Sequence, residues 1–462
     1  MNSRVAVAGV GCVIGLALVL LGTGADPAQA VMGRAAVVII AALALWSTGV
    51  LPEAVTALAF FLAVVMLGIA QPAVAFSGFH ATAFWLVVGG TILGLAVRRT
   101  GLGERLARAL VGRIGHSYLA LSLGIAAVAM VLAFLMPSST GRVVLLIPVV
   151  LSLADHLGYQ AGSRGRVGLV LLVGMMCFNP PTAVLPAVVP NMVMMGAAES
   201  LYGLHFQYLP WLLAHLPITG LLKAALIVAV CWALFHQPPQ RDDDEVPPVR
   251  RWSGDEKRLL VILTLTLLVW ASDGWHGISP AWVALAAGVV CLLPGIGADK
   301  PLIPLEGLAQ GVSFPMLLHI AGLLSLGAVV AESGLGAAIG GWLLGILPLE
   351  PGATAQNFAT LTGVSAAVGL LTTLPGVPAV MTPLASMLAE ASGLTVQQVL
   401  MIQSIGYSTV ILPFQVPPLI VAMQMGGAPA RPAARLTLGV CVLAVLLCWP
   451  LTFLWWCLIG VL

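Results

Sequence analysis

Long apolar runs alternate with short polar interruptions through almost the whole chain. Runs near the length needed to cross a bilayer, roughly 20 residues, fall at about 4–24, 34–50, 53–71, 81–98, 167–188, 212–235, 258–273, 280–297, 312–331, 398–420 and 436–460. They predict membrane-spanning helices. Two further segments are broken in the middle: 118–155 at Pro137-Ser138-Ser139-Thr140-Gly141, and 357–390 at Thr372-Thr373-Leu374-Pro375-Gly376. Broken backbone at membrane depth must line a cavity or be buried in protein, so each reads as a re-entrant hairpin rather than a span. Two late runs are dense in proline. Gly174 to Gly196 carries Asn179, Pro180, Pro181, Thr182, Pro186, Pro190 and Asn191, and Gly406 to Gly426 carries Ser408, Thr409, Pro413, Gln415, Pro417 and Pro418. Prolines at this density unwind a helix and free carbonyls in its middle.

The pattern is also repeated. Gly78–Gly103 and Gly311–Gly336 align at an offset of 233, with identities at Gly78/Gly311, Gly89/Gly322, Leu93/Leu326, Gly94/Gly327 and Val97/Val330. Gly101-Leu102-Gly103 returns as Gly334-Leu335-Gly336. An offset of half a 462-residue chain implies duplication. Duplicated halves in a membrane are the usual scaffold of a secondary transporter, whose site lies between them.

Basic residues orient the runs. With the N-terminus inside, the inner loops collect Arg98, Arg99, Arg105, Arg108, Arg113, Arg164, Arg166, Arg241, Arg250, Arg251, Lys257, Arg258, Lys300, Arg431 and Arg435, and the outer loops keep only Arg34. This agrees with the positive-inside rule. Each half then holds five spans and one hairpin, and the odd number inverts the second half. The expected division is an N-terminal helix over 1–33, a first repeat over 34–236 with a cytoplasmic-side hairpin, a polar cytoplasmic linker over 237–257, and an inverted repeat over 258–462 with an outer-side hairpin. The C-terminus then lies outside. Met1 to Ala30 also passes for a signal peptide, with Ala28-Gln29-Ala30 like a cleavage site; a retained helix is preferred, and later topology is the same. The stretch 104–115, with Arg105, Arg108 and Arg113, reads as an interfacial anchoring helix. Asp242-Asp243-Asp244-Glu245 reads as a solvated face of the linker.

Composition agrees: 60% hydrophobic, 8% charged, mean hydropathy +1.07. A soluble chain carries about a quarter charged residues. The fold class is therefore an all-α polytopic membrane protein, with about 11 spans and two hairpins. A net charge of +2 argues against a nucleic-acid partner. Seven cysteines without CxxC spacing read as small core residues.

Chemistry is expected first at the hairpin tips. Pro137 ends one leg, and Ser138 or Ser139 can cap the next. A helix N-terminus at the midplane offers donors to an anion, and the carbonyls of the preceding leg can hold a cation. Arg142 lies inside the apolar second leg, where an unpaired charge is costly and usually functional. Either its guanidinium supplies the positive charge a sodium ion would give, or it faces cytoplasmic water or pairs with Asp155. Lys223 is expected to snorkel near the outer end of its span. His319 is a packing residue more readily than a proton carrier, and His80 is weaker still. Glu332 stands where the first copy has Arg99, at the outer helix end.

At these residues the chain resembles the divalent anion/sodium symporters, carriers of di- and tricarboxylates or sulfate. The likeness covers nearly everything after residue 34. It rests on Pro52-Glu53-Ala54-Val55-Thr56-Ala57-Leu58, on Phe76-Ser77-Gly78 leading to Trp85-Leu86 and Thr100-Gly101-Leu102-Gly103, and on both hairpins. Ser138-Ser139-Thr140, ten residues before Pro148, is similar to the family's Ser-Asn-Thr tip. Val189-Pro190-Asn191 looks like its Thr-Pro-Pro-Asn, and Leu412-Pro413 with Val416-Pro417-Pro418-Leu419 like the second copy. The resemblance implies a homodimer, elevator-type movement and sodium coupling. It points to Ser138, Ser139, Thr140, Thr373 and Pro417 for substrate contact, joined by Arg142, with Asn191 in support. Ser138, Ser139 and the carbonyls near Asn179 and Pro180 are the candidate sodium ligands; no other cofactor is expected. The departures are Ser139 for the first asparagine, Thr373-Leu374-Pro375 for the second Ser-Asn-Thr, and Leu419 for the second asparagine. They set a sodium-independent exchanger, a proton-coupled carrier or an ion antiporter beside the symporter. An integral-membrane enzyme is disfavoured, since no embedded His/Asp/Glu constellation or HExxH spacing occurs.

Overall fold

The computed structural model describes residues 26–105, 117–238, 251–295 and 298–462. The first apolar run, most of the 104–115 stretch with Arg108 and Arg113, and the acidic run of the linker lie outside these residues.

The first half runs α1 (Pro27–Thr48), α2 (Glu53–Met66), α3 (Thr82–Thr100), α4 (Tyr118–Leu135), α5 (Ser139–His156), α6 (Arg164–Met176), α7 (Val189–Tyr202) and α8 (Tyr208–Phe235). The second half runs α9 (Gly254–Ala271), α10 (Pro280–Leu292), α11 (Phe314–Glu332), α12 (Leu335–Leu344), α13 (Thr354–Leu371), α14 (Gly376–Ser392), α15 (Val396–Tyr407), α16 (Pro417–Gly426) and α17 (Ala430–Leu458). A two-stranded antiparallel ribbon, Pro294–Gly295 with Ala298–Pro301, is an addition to an otherwise helical chain. Among the described residues, eight helices are long and apolar enough to cross a membrane, or nine if the bent pair α13–α14 counts as one.

Several elements differ from the expected runs. Asp26 caps α1 at Pro27, so Ala28-Gln29-Ala30 lies inside a helix. The 53–71 and 280–297 runs yield helices of only 14 and 13 residues. Both legs of the first broken segment, α4 and α5, are 18 residues long and each is apolar enough to cross alone. The second segment qualifies only as a pair, bent by 117°. Arg105 is buried rather than spread on an interface. It makes a two-pronged ion pair with Glu256 (2.9 and 3.0 Å), donates to the Arg251 carbonyl (2.8 Å) and lies over the Trp252 ring. That pair joins the segment just after α3 to the start of α9.

The halves interlock reciprocally. Helix α3 packs along α10 of the second half, and α11 packs along α2 of the first. The duplicated glycines make this possible. A Cβ at Gly89 would lie 2.5 Å from the Ala284 backbone in α10, and one at Gly322 would lie 3.1 Å from Ala57 in α2. Gly78 sits against Ala321 in α11, while Gly311 sits against Leu95 in α3. The same exchange recurs deeper: α16 packs on α5, and α7 on α14. Small residues let backbones approach where lipid supplies no hydrophobic drive between helices. Large apolar side chains such as Ile40, Leu62, Leu213, Leu265, Leu446 and Leu454 remain exposed on the outer surface.

Candidate functional site

The first broken helix unwinds where its prolines forbid continuous bonding. After α6 ends, two short 3-10 turns, Pro180–Ala183 and Leu185–Ala187, carry the chain to α7. Carbonyls of this break are left for other partners. The turn between α4 and α5, Met136-Pro137-Ser138, which the sequence reads as a hairpin tip, reaches the same region. Gly90 of α3 receives it, since a Cβ there would come within 2.8 Å of Pro137. Ser138 accepts from the Gly141 amide (3.1 Å) and so caps α5.

Arg142, one turn further along α5, is fully buried. Its guanidinium donates to the carbonyls of Cys177 (2.7 Å), Ala187 (3.1 Å) and Met136, and to Ser139 Oγ (3.3 Å). One end of the shell comes from the hairpin tip and the other from both edges of the break. Arg142 Nε has no partner. Asp155 does not neutralise it; that carboxylate pairs with Arg166. Four neutral oxygens thus satisfy most of the guanidinium, and none of them carries a counter-charge.

The other predicted residues divide. Ser139 belongs to the Arg142 group, whereas the Ser138 hydroxyl caps α5 and makes no hydrogen bond to the guanidinium among the described residues. Thr140 is exposed. Asn191 is buried but clamps the break rather than facing Arg142: it donates to Thr182 O (2.9 Å) and Val184 O (3.3 Å) and accepts from Tyr407 Oη (2.7 Å). Asn179 and Pro180 are buried in the break, and both amide atoms of Asn179 lack partners. Thr373, half-buried at the second tip, and Pro417, at the start of α16, share no hydrogen bond with the Arg142 group among the described residues. The buried Thr372 hydroxyl beside Thr373 has no partner. Leu419, in place of the expected asparagine, packs on Gly174 of α6. His319 is likewise a packing residue, edge-on to Trp46, and Glu332 is the exposed last residue of α11.

Tyr407 and His215 escape sequence reasoning, and Gln415 and Lys223 take places that the sequence does not indicate. Gln415 is fully buried and organises the second break. Its Oε1 accepts from the Ile411 and Leu412 amides (2.8 and 2.6 Å), its Nε2 donates to Gly369 O (2.6 Å), and its own carbonyl accepts from Leu374 N (3.1 Å). The second half therefore keeps a polar organiser, moved from the hairpin to the break. Tyr407 ties the two breaks together through Asn191. His215 stacks on Trp211 (4.0 Å between ring centres) and hydrogen-bonds to Ser404 (2.8 Å). Lys223 is buried in α8, not snorkelled, and donates to Ser408 Oγ (2.8 Å) and O (3.1 Å). Its distance from any tip in the sequence concealed it.

A polytopic helical bundle with two interlocked halves and broken helices meeting near its middle has the build of a secondary transporter. The family model of the sodium:sulfate symporter transmembrane region matches residues 11–462, and the chain belongs to that family. It is a multi-pass membrane protein of a transporter family, not of an enzyme family. Relatives include a membrane protein of Cupriavidus necator, 26% identical over 233 residues, covering 48% of this chain and 45% of that one. Another is the L-tartrate/succinate antiporter of Escherichia coli K12, 27% identical over 237 residues and 47% of each chain. The chain thus spans about half the length of the curated relatives it matches. In fold it is similar to the Alcanivorax borkumensis YdaH transporter, with a TM-score of 0.55 at 16% identity over 83% of this chain and 87% of that one.

Proposed function

We propose that this protein is a secondary carrier that exchanges small dianions, dicarboxylates or sulfate, across a bacterial inner membrane without requiring sodium. The observation that carries the reading is Arg142, whose guanidinium already fills the oxygen shell between the first hairpin tip and the first break. A carrier whose cation is fixed keeps a positive charge in its empty site, and moving that unneutralised charge through the membrane is costly. Anion-for-anion exchange avoids the empty return. The L-tartrate/succinate antiporters among the relatives support the same reading. The reciprocal packing of the halves supports inverted repeats around a midplane site, and the basic loops support a cytoplasmic N-terminus. Elevator-type movement within a homodimer follows from the family resemblance.

A second reading, sodium-coupled uptake, is favoured by Asn179, whose buried amide oxygen is free to ligate a cation. Proteoliposomes preloaded with succinate or sulfate separate the two. Exchange of labelled anion is expected to be equal with sodium or choline outside and to collapse when the lumen holds no counter-anion. Uptake into empty vesicles driven by a sodium gradient overturns the exchanger reading.

A further inference from the structure

Lys223 is 1% exposed, yet no acidic side chain pairs with it among the described residues. The titratable groups acting on it are the thiols of Cys448 and Cys441, and the imidazole of His215 lies on the same helix. None of these supplies a stable negative charge. An unneutralised ammonium in a membrane protein interior is costly, and a bound negative group offsets that cost.

The position of its partner is informative. Ser408 caps the C-terminal end of α15, the first leg of the second broken helix. Cys177, whose carbonyl receives Arg142, caps the C-terminal end of α6, the first leg of the first broken helix. Helix α6 begins at Arg164 and α15 at Val396, so the two legs are equivalent in the duplicated order of elements. Each break therefore holds one buried cation on the last carbonyl of its first leg. The cations reach these points from different elements: Arg142 from the hairpin of its own half, and Lys223 from the last helix of the other half. The sequence duplication did not create this match.

A helix C-terminus carries partial negative charge and repels anions. An ammonium bound there reverses the local sign. The two breaks are bridged by Tyr407, which neighbours Ser408 and donates to Asn191 of the first break (2.7 Å). We infer that Lys223 determines substrate charge: it holds the second break positive at Ser408, so that a ligand with two negative groups is bound and one with a single negative group is not. The inference rests on the anion-carrier reading above and goes beyond it, because Arg142 alone accounts for only one negative group. Lys223 acts as a positioning and specificity residue of the anion site.

The test compares ligand pairs that differ in charge and little in shape: succinate against monomethyl succinate, and sulfate against methyl sulfate. Thermal stabilisation of the purified full chain is read at pH 7.5 alongside competition with labelled-anion exchange in proteoliposomes. Wild type is expected to favour the dianion by at least about tenfold, the scale of one charge-assisted hydrogen bond. Lys223→Met should bring the two members of each pair within about twofold, and Lys223→Arg should preserve the preference. Should Lys223→Met not yield folded protein, Ser408→Ala, which removes the hydroxyl that seats the ammonium, should narrow the preference instead. Undiminished dianion preference in the folded variant overturns the role of Lys223 and leaves the carrier reading standing. Wild type that neither binds nor exchanges any of the four anions overturns both.

Discussion

Arg142 concentrates the chemistry of the first half in one side chain. Its four oxygen partners are all neutral, so within the protein the charge is stabilised by dipoles alone. Arg142→Ala removes a cation and opens a shell of three carbonyls and a hydroxyl. Exchange in proteoliposomes should fall by about 100-fold, the worth of one or two charge-assisted hydrogen bonds. The emptied shell should also acquire affinity for a small cation: melting temperature in sodium chloride should exceed that in choline chloride for Arg142→Ala and not for wild type. Equal melting in both salts would count against an ion-like shell. That Arg142 was a candidate was legible, because a charge inside an apolar leg is conspicuous. Its partners were not legible, since Cys177 and Ala187 contribute only carbonyls and any residue type carries one. Lys223 was misread for the converse reason. A lysine near a helix end is ordinarily solvated by snorkelling, and only the approach of α15 shows that this one turns inward.

At the scale of elements, the copied glycine helices are fitted to each other's partners. Gly89 meets backbone in α10, whereas Gly322 meets the side chains of Ala57 and Trp46. The 2.5 Å approach to backbone at Gly89 requires a helix to move, whereas the 3.1 Å approach at Gly322 is relieved by a few tenths of an ångström, so the copies should differ in tolerance. Gly89→Ala is expected to destabilise by about 1–3 kcal/mol through overpacking, and Gly322→Ala by less. Thermal unfolding in detergent measures both, and equal losses would contradict the packing described here. The broken helices were readable from proline spacing, and the expected breaks occur where the prolines lie. Span lengths were less readable. Hydropathy does not register a helix stop such as the one at Met66, ahead of Gly68 with its φ of +59°, because the apolar run continues past the turn.

At the scale of the whole molecule, Arg105–Glu256 is a buried ion pair between the halves. Breaking one side of such a buried pair leaves the other charge stranded, at a cost of about 3–5 kcal/mol. Glu256→Ala should lower the melting temperature, and a double change with Arg105→Met should recover part of the loss. The Arg105 guanidinium, hydrogen-bonded to it, holds the Glu256 carboxyl below the usual carboxylate range. A depressed carboxyl stabilises above its unfolded pKa, and that contribution fades as pH falls through the folded value. Wild type should therefore lose more stability than Glu256→Gln on acidification. The sequence by itself determined the membrane class, the duplication, the breaks and the presence of an arginine within an apolar run, because hydropathy, internal identity and proline are local and survive in one dimension. Tertiary structure alone decided which carbonyls gather round Arg142, that Gln415 organises the second break, and that Lys223 belongs to it. The first two depend on main-chain atoms, which every residue type carries, and the third on helices 185 residues apart in sequence being folded against one another; neither leaves a mark in the order of residues.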